Sequence, residues 1–432
     1  MVKSITFCKE LGFDNKSILK NPILLRANPN TLDQYYTVMK EGGFNNITAE
    51  VLAKFRTLCR KEIITLKKAH LIDPQTDVAE SFISHLNPRP ENFYVRTEGD
   101  SESWSSVHLQ VLTEYLKWRL QATDADVAKL IKIHPGICRK SFRYLCENIA
   151  TAQDLGFTPE KMLKYGYILH NYPKYTKTVL AKYPEIAGAS MRKAMRMYPK
   201  LVNVSPSNIE KIYNILKKHN ISDEAIQKRM NVFHMSPQTV ELRLEELKRV
   251  EDLKVLFHNP NILKLVVHHN RAKSRLSYLK QLQLKCAGVS VLGNDDSKFN
   301  MHVKEGRDSN TSSDTFAFLK GIFNEDTDRF ETNFKKHPYY LQVSLVSMEE
   351  TYNYLISENY SSAAILNVIY ILLYPKEKIQ NNFKQVDLFE TRSNKVLTQT
   401  NRLNLVLYFI EKEHHFTGDG IWTKSESLEE GS

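Results

Sequence analysis

At 432 residues the chain exceeds the size at which a single hydrophobic core keeps growing, so it forms several domains or one elongated array. A hydrophobic content of 42% is enough to bury a core, while only 15 glycines argue against an all-β design. The formal charge of +11 is concentrated: between Lys129 and Lys200, ten Lys and four Arg face four acidic residues, a net +10 that favours a polyanionic partner.

The N-terminus carries Lys3, Lys9, Lys16, Lys20 and Arg26, but Glu10 and Asp14 interrupt the run. A mitochondrial presequence, rich in Arg and poor in acids, is therefore not legible there. Gly43-Phe44 reads as a left-handed helix cap followed by an apolar anchor. A repeat is hard to place between residues 75 and 120, and 87–105 reads as a long irregular connection. The clearest unit runs from Asp124 to Phe157. Asp124 is read as the N-cap of a first helix with Val127, Leu130 and Ile131 as its apolar stripe, and His134-Pro135 stops it. A second helix presents Phe142, Leu145, Cys146 and Ile149 on one face, and Gly156-Phe157 closes it. Thr158-Pro159-Glu160 then opens the next unit with a cap, a first-turn proline and a first-turn acid. The same grammar returns at Asn220-Ile221-Ser222-Asp223-Glu224 and at Asn359-Tyr360-Ser361.

A short tag punctuates these units. It reads Asn21-Pro22-Ile23-Leu24, His134-Pro135-Gly136-Ile137, Tyr172-Pro173, Tyr183-Pro184, Tyr198-Pro199-Lys200-Leu201, Asn259-Pro260-Asn261-Ile262, His337-Pro338 and Tyr374-Pro375. Pro135 and Pro173 are 38 residues apart, Pro260 and Pro338 are 78, and Pro338 and Pro375 are 37. Proline ends one helix and opens another, so a breaker at a nearly fixed interval marks an array of bent helix pairs. The chain predicts an all-α fold, with one array over 10–422, irregular connections at 87–105 and 287–314, and an acidic disordered tail at 423–432.

The five cysteines form no CxxC pair and are odd in number, which fits free thiols in a reducing compartment. No run of about 18 apolar residues exists, and the nearest, Ala363 to Tyr374, is too short to span a bilayer, so no membrane is expected. No GxxxxGK[ST] loop, GxGxxG turn or GxSxG elbow is present, so enzymatic activity and cofactors are not expected. The pairs His268-His269 and His414-His415 lack partners at metal-ligand spacing and read as structural or phosphate-facing, and no metal is expected.

Repeats of about 35 residues with apolar heptads and a proline after the first helix resemble the mitochondrial transcription termination factor (mTERF) family. The tags carry the resemblance, as do Leu403-Asn404-Leu405-Val406-Leu407-Tyr408-Phe409-Ile410-Glu411 and Phe416-Thr417-Gly418-Asp419; it is nearest to the insect branch. The resemblance implies a left-handed helical-repeat solenoid of roughly 8–10 mTERF-type repeats. It also implies a monomer in the mitochondrial matrix nucleoid that binds double-stranded DNA along a basic groove and blocks the mitochondrial RNA polymerase.

In stacked repeats equivalent positions line up along one face, so basic residues recurring after each proline would draw a stripe that tracks phosphates. The candidates are Arg139, Lys140 and Arg143 after Pro135, Lys174 and Lys177 after Pro173, and Arg271, Lys273 and Arg275 after Pro260. Arg192, Lys193 and Arg196 lie on a short helix before Pro199, and Arg243 joins the set. Phe233, at the tag-like break Val232-Phe233-His234-Met235-Ser236-Pro237, resembles a position where a family member stacks on an extruded base; the alternative is a filler between helices. The predicted function is sequence-specific duplex-DNA binding that terminates or attenuates mitochondrial transcription. The alternatives are an RNA binder acting on mitochondrial ribosomal RNA and a protein-interaction solenoid.

Overall fold

The computed structural model describes residues 2–306, 308–324, 330–394 and 396–412. The sequence signals at His414-His415, at Phe416-Thr417-Gly418-Asp419 and in the 423–432 tail lie outside these residues. The described chain is all-α apart from one short hairpin, in which Glu185–Ile186 pairs with Ala189–Ser190. It gathers into two units, Met1–Ile209 and Glu210–Ser432.

Each repeat is led by one helix. In the first unit these are Pro29–Glu41 (α1), Trp104–Leu120 (α2), Phe142–Asp154 (α3) and Pro173–Lys182 (α4). Pro206–Lys218 (α5) carries the boundary. The second unit contains Pro237–Arg249 (α6), His269–Gln281 (α7), Ser312–Phe323 (α8), Leu345–Ser357 (α9) and Lys376–Ser393 (α10). A serine or threonine hydroxyl caps many of these starts: Ser103, Ser141, Ser236, Thr311 and Ser344 each accept from a backbone N–H three residues on. A left-handed residue then turns the chain out of the helix, at Gly43, Gln121, Gly156, Asn220, Gln283, Asn324, Asn359 and Asn394. A shorter second helix follows, and a 3-10 turn leads it into the next repeat at Pro135–Arg139, Gly166–Ile168, Pro199–Asn203, Met230–His234 and Ile369–Leu373.

The apolar face expected for α3 is realised, with Phe142, Leu145, Cys146 and Ile149 all buried. One polar device recurs in the core. The seventh residue of α3, α6, α7 and α9 reaches the carbonyls that close the next second helix or 3-10 turn. Asn148 Nδ2 donates to the Leu169 and Asn171 carbonyls at 2.9 and 3.1 Å. Arg243 Nη1 donates to Val266 and Val267 at 2.8 and 3.2 Å, and Arg275 Nη1 to Val291, Leu292 and Asn294 at 2.9, 3.3 and 2.7 Å. Thr351 Oγ1 donates to Tyr374 at 2.9 Å. Carbonyls at helix ends lack intrahelical partners, so these side chains tie each repeat to its successor.

Three local expectations are corrected. The cap before Val127 is Thr123, not Asp124, in a reciprocal capping box with Asp126. Tyr183-Pro184 opens the hairpin and not a helix; Met191 N donates to the Pro184 carbonyl at 2.9 Å across it. Residues 287–314 are largely helical, with Val289–Gly293, Asp296–Glu305 and the start of α8. Its polar residues are structural. Asp314 accepts from Asn259 Nδ2 at 2.7 Å and Val289 N at 3.2 Å, and Asp308 accepts from the backbone of Lys285 and Cys286.

Candidate nucleic-acid interface

In the first unit the exposed charge is organised around α3. Arg143, Glu147 and Asp154 stand four and seven residues apart, a spacing that places them on one side of a helix. Arg143 Nε lies 3.4 Å from Glu147 Oε1, and Lys177 Nζ from α4 lies 3.0 Å from Glu147 Oε2. Arg192, on the Met191–Met197 helix, reaches Asp154 Oδ2 at 2.7 Å. Arg196 packs beside Gly156, where an added Cβ would lie 3.5 Å from its guanidinium carbon. Lys174 lies 5.7 Å from the Tyr172 ring centroid and 3.9 Å from Asp33 Oδ2. Lys193 is exposed. Arg143, Lys174, Lys177, Arg192, Lys193 and Arg196 are thus all solvent-facing, and from Arg143 through the two acidic anchors Glu147 and Asp154 α3 spans about 17 Å at 1.5 Å per residue.

Arg139 is exposed but belongs elsewhere. It lines a cleft with Arg56, Tyr35 and Tyr172, and its carbonyl accepts from Gln34 Nε2 at 2.9 Å. Lys140, expected on the surface stripe, is 1% exposed. Its ammonium donates to Gln34 Oε1 at 2.7 Å and to the His170 and Asn171 carbonyls at 3.1 and 2.6 Å, which uses all three protons. Burial pushes its pKa down to about 7, against the pull of Asp33 and Glu41. Glu41, from α1, caps α3 from outside its own repeat: it accepts from Ser141 Oγ at 2.6 Å, Phe142 N at 2.8 Å and Arg143 N at 3.1 Å. Burial raises this carboxyl and those three donors oppose the rise. Asp33 accepts from the Tyr144 and Tyr172 hydroxyls at 2.6 and 2.8 Å. These acidic partners on α1 carried no local sequence signal, because they act about a hundred residues away from their positions in the chain.

In the second unit Arg271 and Lys273 are exposed. Arg271 Nη1 donates to the Asn294 carbonyl at 3.2 Å, and Lys273 lies 3.4 Å from Glu246. Arg275 is corrected from a surface contact to a core residue: it is 5% exposed, bound to three carbonyls and to Asp296 Oδ1 at 2.6 Å, with its guanidinium 4.7 Å from the Phe299 ring centroid. Arg243 is half-buried in the equivalent capping role. Phe233 is also corrected. It is 0% exposed within the Met230–His234 turn, so its ring offers no face to a base and fills the space between helices. His269 is buried and His268 exposed. Among the described residues no group of three His, Cys, Asp or Glu side chains is placed to hold a metal, and no helix is long and apolar enough to cross a membrane.

Comparison with known proteins gives one informative result. The chain is 28% identical over 439 residues to transcription termination factor 5, mitochondrial, of Drosophila melanogaster, a match covering 98% of this chain and 78% of that protein. No family model and no solved structure matches it. Along almost its whole length this chain, an all-helical array punctuated by proline tags, is thus similar to an insect mitochondrial transcription termination factor.

Proposed function

We propose that the chain acts in mitochondria as a sequence-specific duplex-DNA-binding protein that terminates or attenuates transcription. It does so as a monomer in the matrix nucleoid, by standing in the path of the mitochondrial RNA polymerase. The observation that carries this reading is the run of exposed cations beside α3: Arg143, Lys177 and Arg192 at its acidic anchors, with Lys174, Lys193 and Arg196 next to them. About 17 Å of helix matches roughly five phosphates along one strand at 3.4 Å per charge. Arg271 and Lys273 add a second exposed pair in the other unit. Phosphate contacts of this kind supply affinity and orientation, and a few Arg side chains bidentate to guanine supply sequence. The relative's name supports the setting and the process.

The test is competition between duplex DNA and structured RNA of matched length at several salt concentrations, followed by footprinting across mitochondrial DNA. With ~6 phosphates neutralised, log K should fall against log salt with a slope of roughly −5. Binding should persist on random duplex and tighten on one mitochondrial sequence. Preference for RNA would transfer the site to ribosomal RNA, and weak binding to both with a slope near zero would leave a protein-docking surface.

A further inference from the structure

The duplex reading leaves a basic recess of the first unit unused. Between α1 and the Pro135–Arg139 turn lies a cleft of about 370 Å³. Arg56, Arg139 and Lys140 bring three basic side chains to it, and no carboxylate lines it. Like charges crowded in a recess repel; the nearest acids stand behind its wall, Asp33 on the Tyr144 and Tyr172 hydroxyls and Glu41 at the start of α3, and both pull on Lys140. Lys140 has all three protons engaged and acts as a fixed part of the wall. Arg56 and Arg139 differ. Both are exposed and neither is ion-paired among the described residues; Arg56 Nε donates to the Tyr35 hydroxyl at 3.4 Å. Two guanidinium forks outside any ion pair match the oxygens of a phosphate, which such forks bind bidentately. The recess is larger than a phosphate alone needs and falls in the size range of small-molecule sites. Its remaining walls include flat rings. Tyr35 is stacked on Phe55 at 4.1 Å, and Tyr172 is held by its hydroxyl. Gly136 adds a wall without a side chain.

We propose that this cleft binds a nucleoside 5′-phosphate, with the phosphate on Arg56 and Arg139 and the base against the tyrosine rings. The ligand is either a free nucleotide or the phosphorylated end of a strand. None of the α3-side cations lines the cleft, although Lys174 lies over the ring of its Tyr172, so the inference goes beyond the duplex reading and is tested on Arg56 and Arg139, which that reading does not use.

The test is calorimetric titration of the full chain with AMP, adenosine, inorganic phosphate, and a tetranucleotide carrying either a 5′-phosphate or a 5′-hydroxyl. AMP should bind at least tenfold more tightly than adenosine or inorganic phosphate. Arg56→Ala with Arg139→Ala should weaken AMP at least tenfold without lowering the melting temperature, whereas Lys161→Ala, an equal change of charge per site at another exposed residue, should leave it within twofold. A 5′-phosphorylated tetranucleotide that outcompetes AMP identifies strand ends as the source, and equal or weaker competition identifies free nucleotide. Binding of AMP no tighter than inorganic phosphate, or an undiminished affinity in the double variant, overturns the proposal. So does a parallel tenfold loss of duplex affinity in that variant, which would make the cleft part of the duplex path. A chain that binds AMP but no duplex would retain the cleft and remove the duplex reading alone.

Discussion

The Lys140 ammonium donates to the Asn171 carbonyl at 2.6 Å, joining a residue three positions past one proline tag to the residue that precedes the next. The same carbonyl accepts from Asn148 Nδ2, and the same ammonium reaches back to Gln34 on α1. One buried cation therefore fixes α1 and two successive repeats together, which is why a lysine in the most basic segment of the chain is unavailable to a polyanion.

This burial has a pH signature. The folded-state pKa of about 7 lies below the ordinary 10.5 of a free lysine. Between those values the unfolded chain holds a proton that the folded chain has lost, so this group makes stability rise with pH across the window; below about 7 both states are protonated and its slope vanishes. Lys140→Met should remove that rise. Denaturant unfolding from pH 7 to 10 measures it, and identical slopes for the two proteins would show that Lys140 stays fully charged in the fold.

Arg243 and Arg275 should behave as structural residues although they sit among duplex candidates. Arg275→Ala leaves the Val291, Leu292 and Asn294 carbonyls short of a donor and should cost about 3 kcal/mol, with Arg243→Ala costing less because that side chain is only half-buried. Arg271→Ala, four residues earlier and exposed, should stay within about 0.5 kcal/mol. Urea unfolding of the three variants ranks them, and equal costs at Arg271 and Arg275 would contradict the capping role.

The repeat grammar was legible because its signals are local. Thr158-Pro159-Glu160 opens a helix and Gly156 turns one with neighbours only a few residues away, and both behave as read. The fate of single charges was not legible. Lys140 and Arg143 are three residues apart in the same basic run, yet one is buried and the other exposed, because the partners that decide it are Gln34 and Asn171, far away in sequence. Composition also misled at 287–314. Asp and Asn are common in loops, but Asp308, Asn310 and Asp314 are there to satisfy backbone and amide groups, and Asn310 Nδ2 donates to Val343 at 2.6 Å.

Phe233 separates packing from recognition. Phe233→Ala removes a fully buried ring and should cost ~3–5 kcal/mol of stability, while Phe233→Leu keeps most of the volume and should cost far less. Neither should change sequence preference in a folded protein. Binding to the preferred duplex and to a random one, compared below the melting transition, reads this directly; a selective loss on the preferred duplex with Phe233→Leu would restore the base-stacking role.

Glu147 provides the sharpest check on the α3 surface. Its two oxygens hold Arg143 and Lys177, so a single carboxylate offsets two cations that a phosphate would otherwise engage. All three side chains are at least partly exposed, and exposed pairs of this kind contribute little to stability, roughly 0–1 kcal/mol. Glu147→Gln should therefore leave the melting temperature nearly unchanged while it strengthens binding to every duplex and steepens the dependence on salt by up to about 0.9 per additional phosphate contact. The reverse change, Arg143→Ala with Lys177→Ala, should weaken specific and random duplexes alike and flatten the salt slope. A duplex affinity indifferent to both changes would mean that nucleic acid does not lie along α3, and the exposed pair Arg271 and Lys273 would then become the first place to look for it.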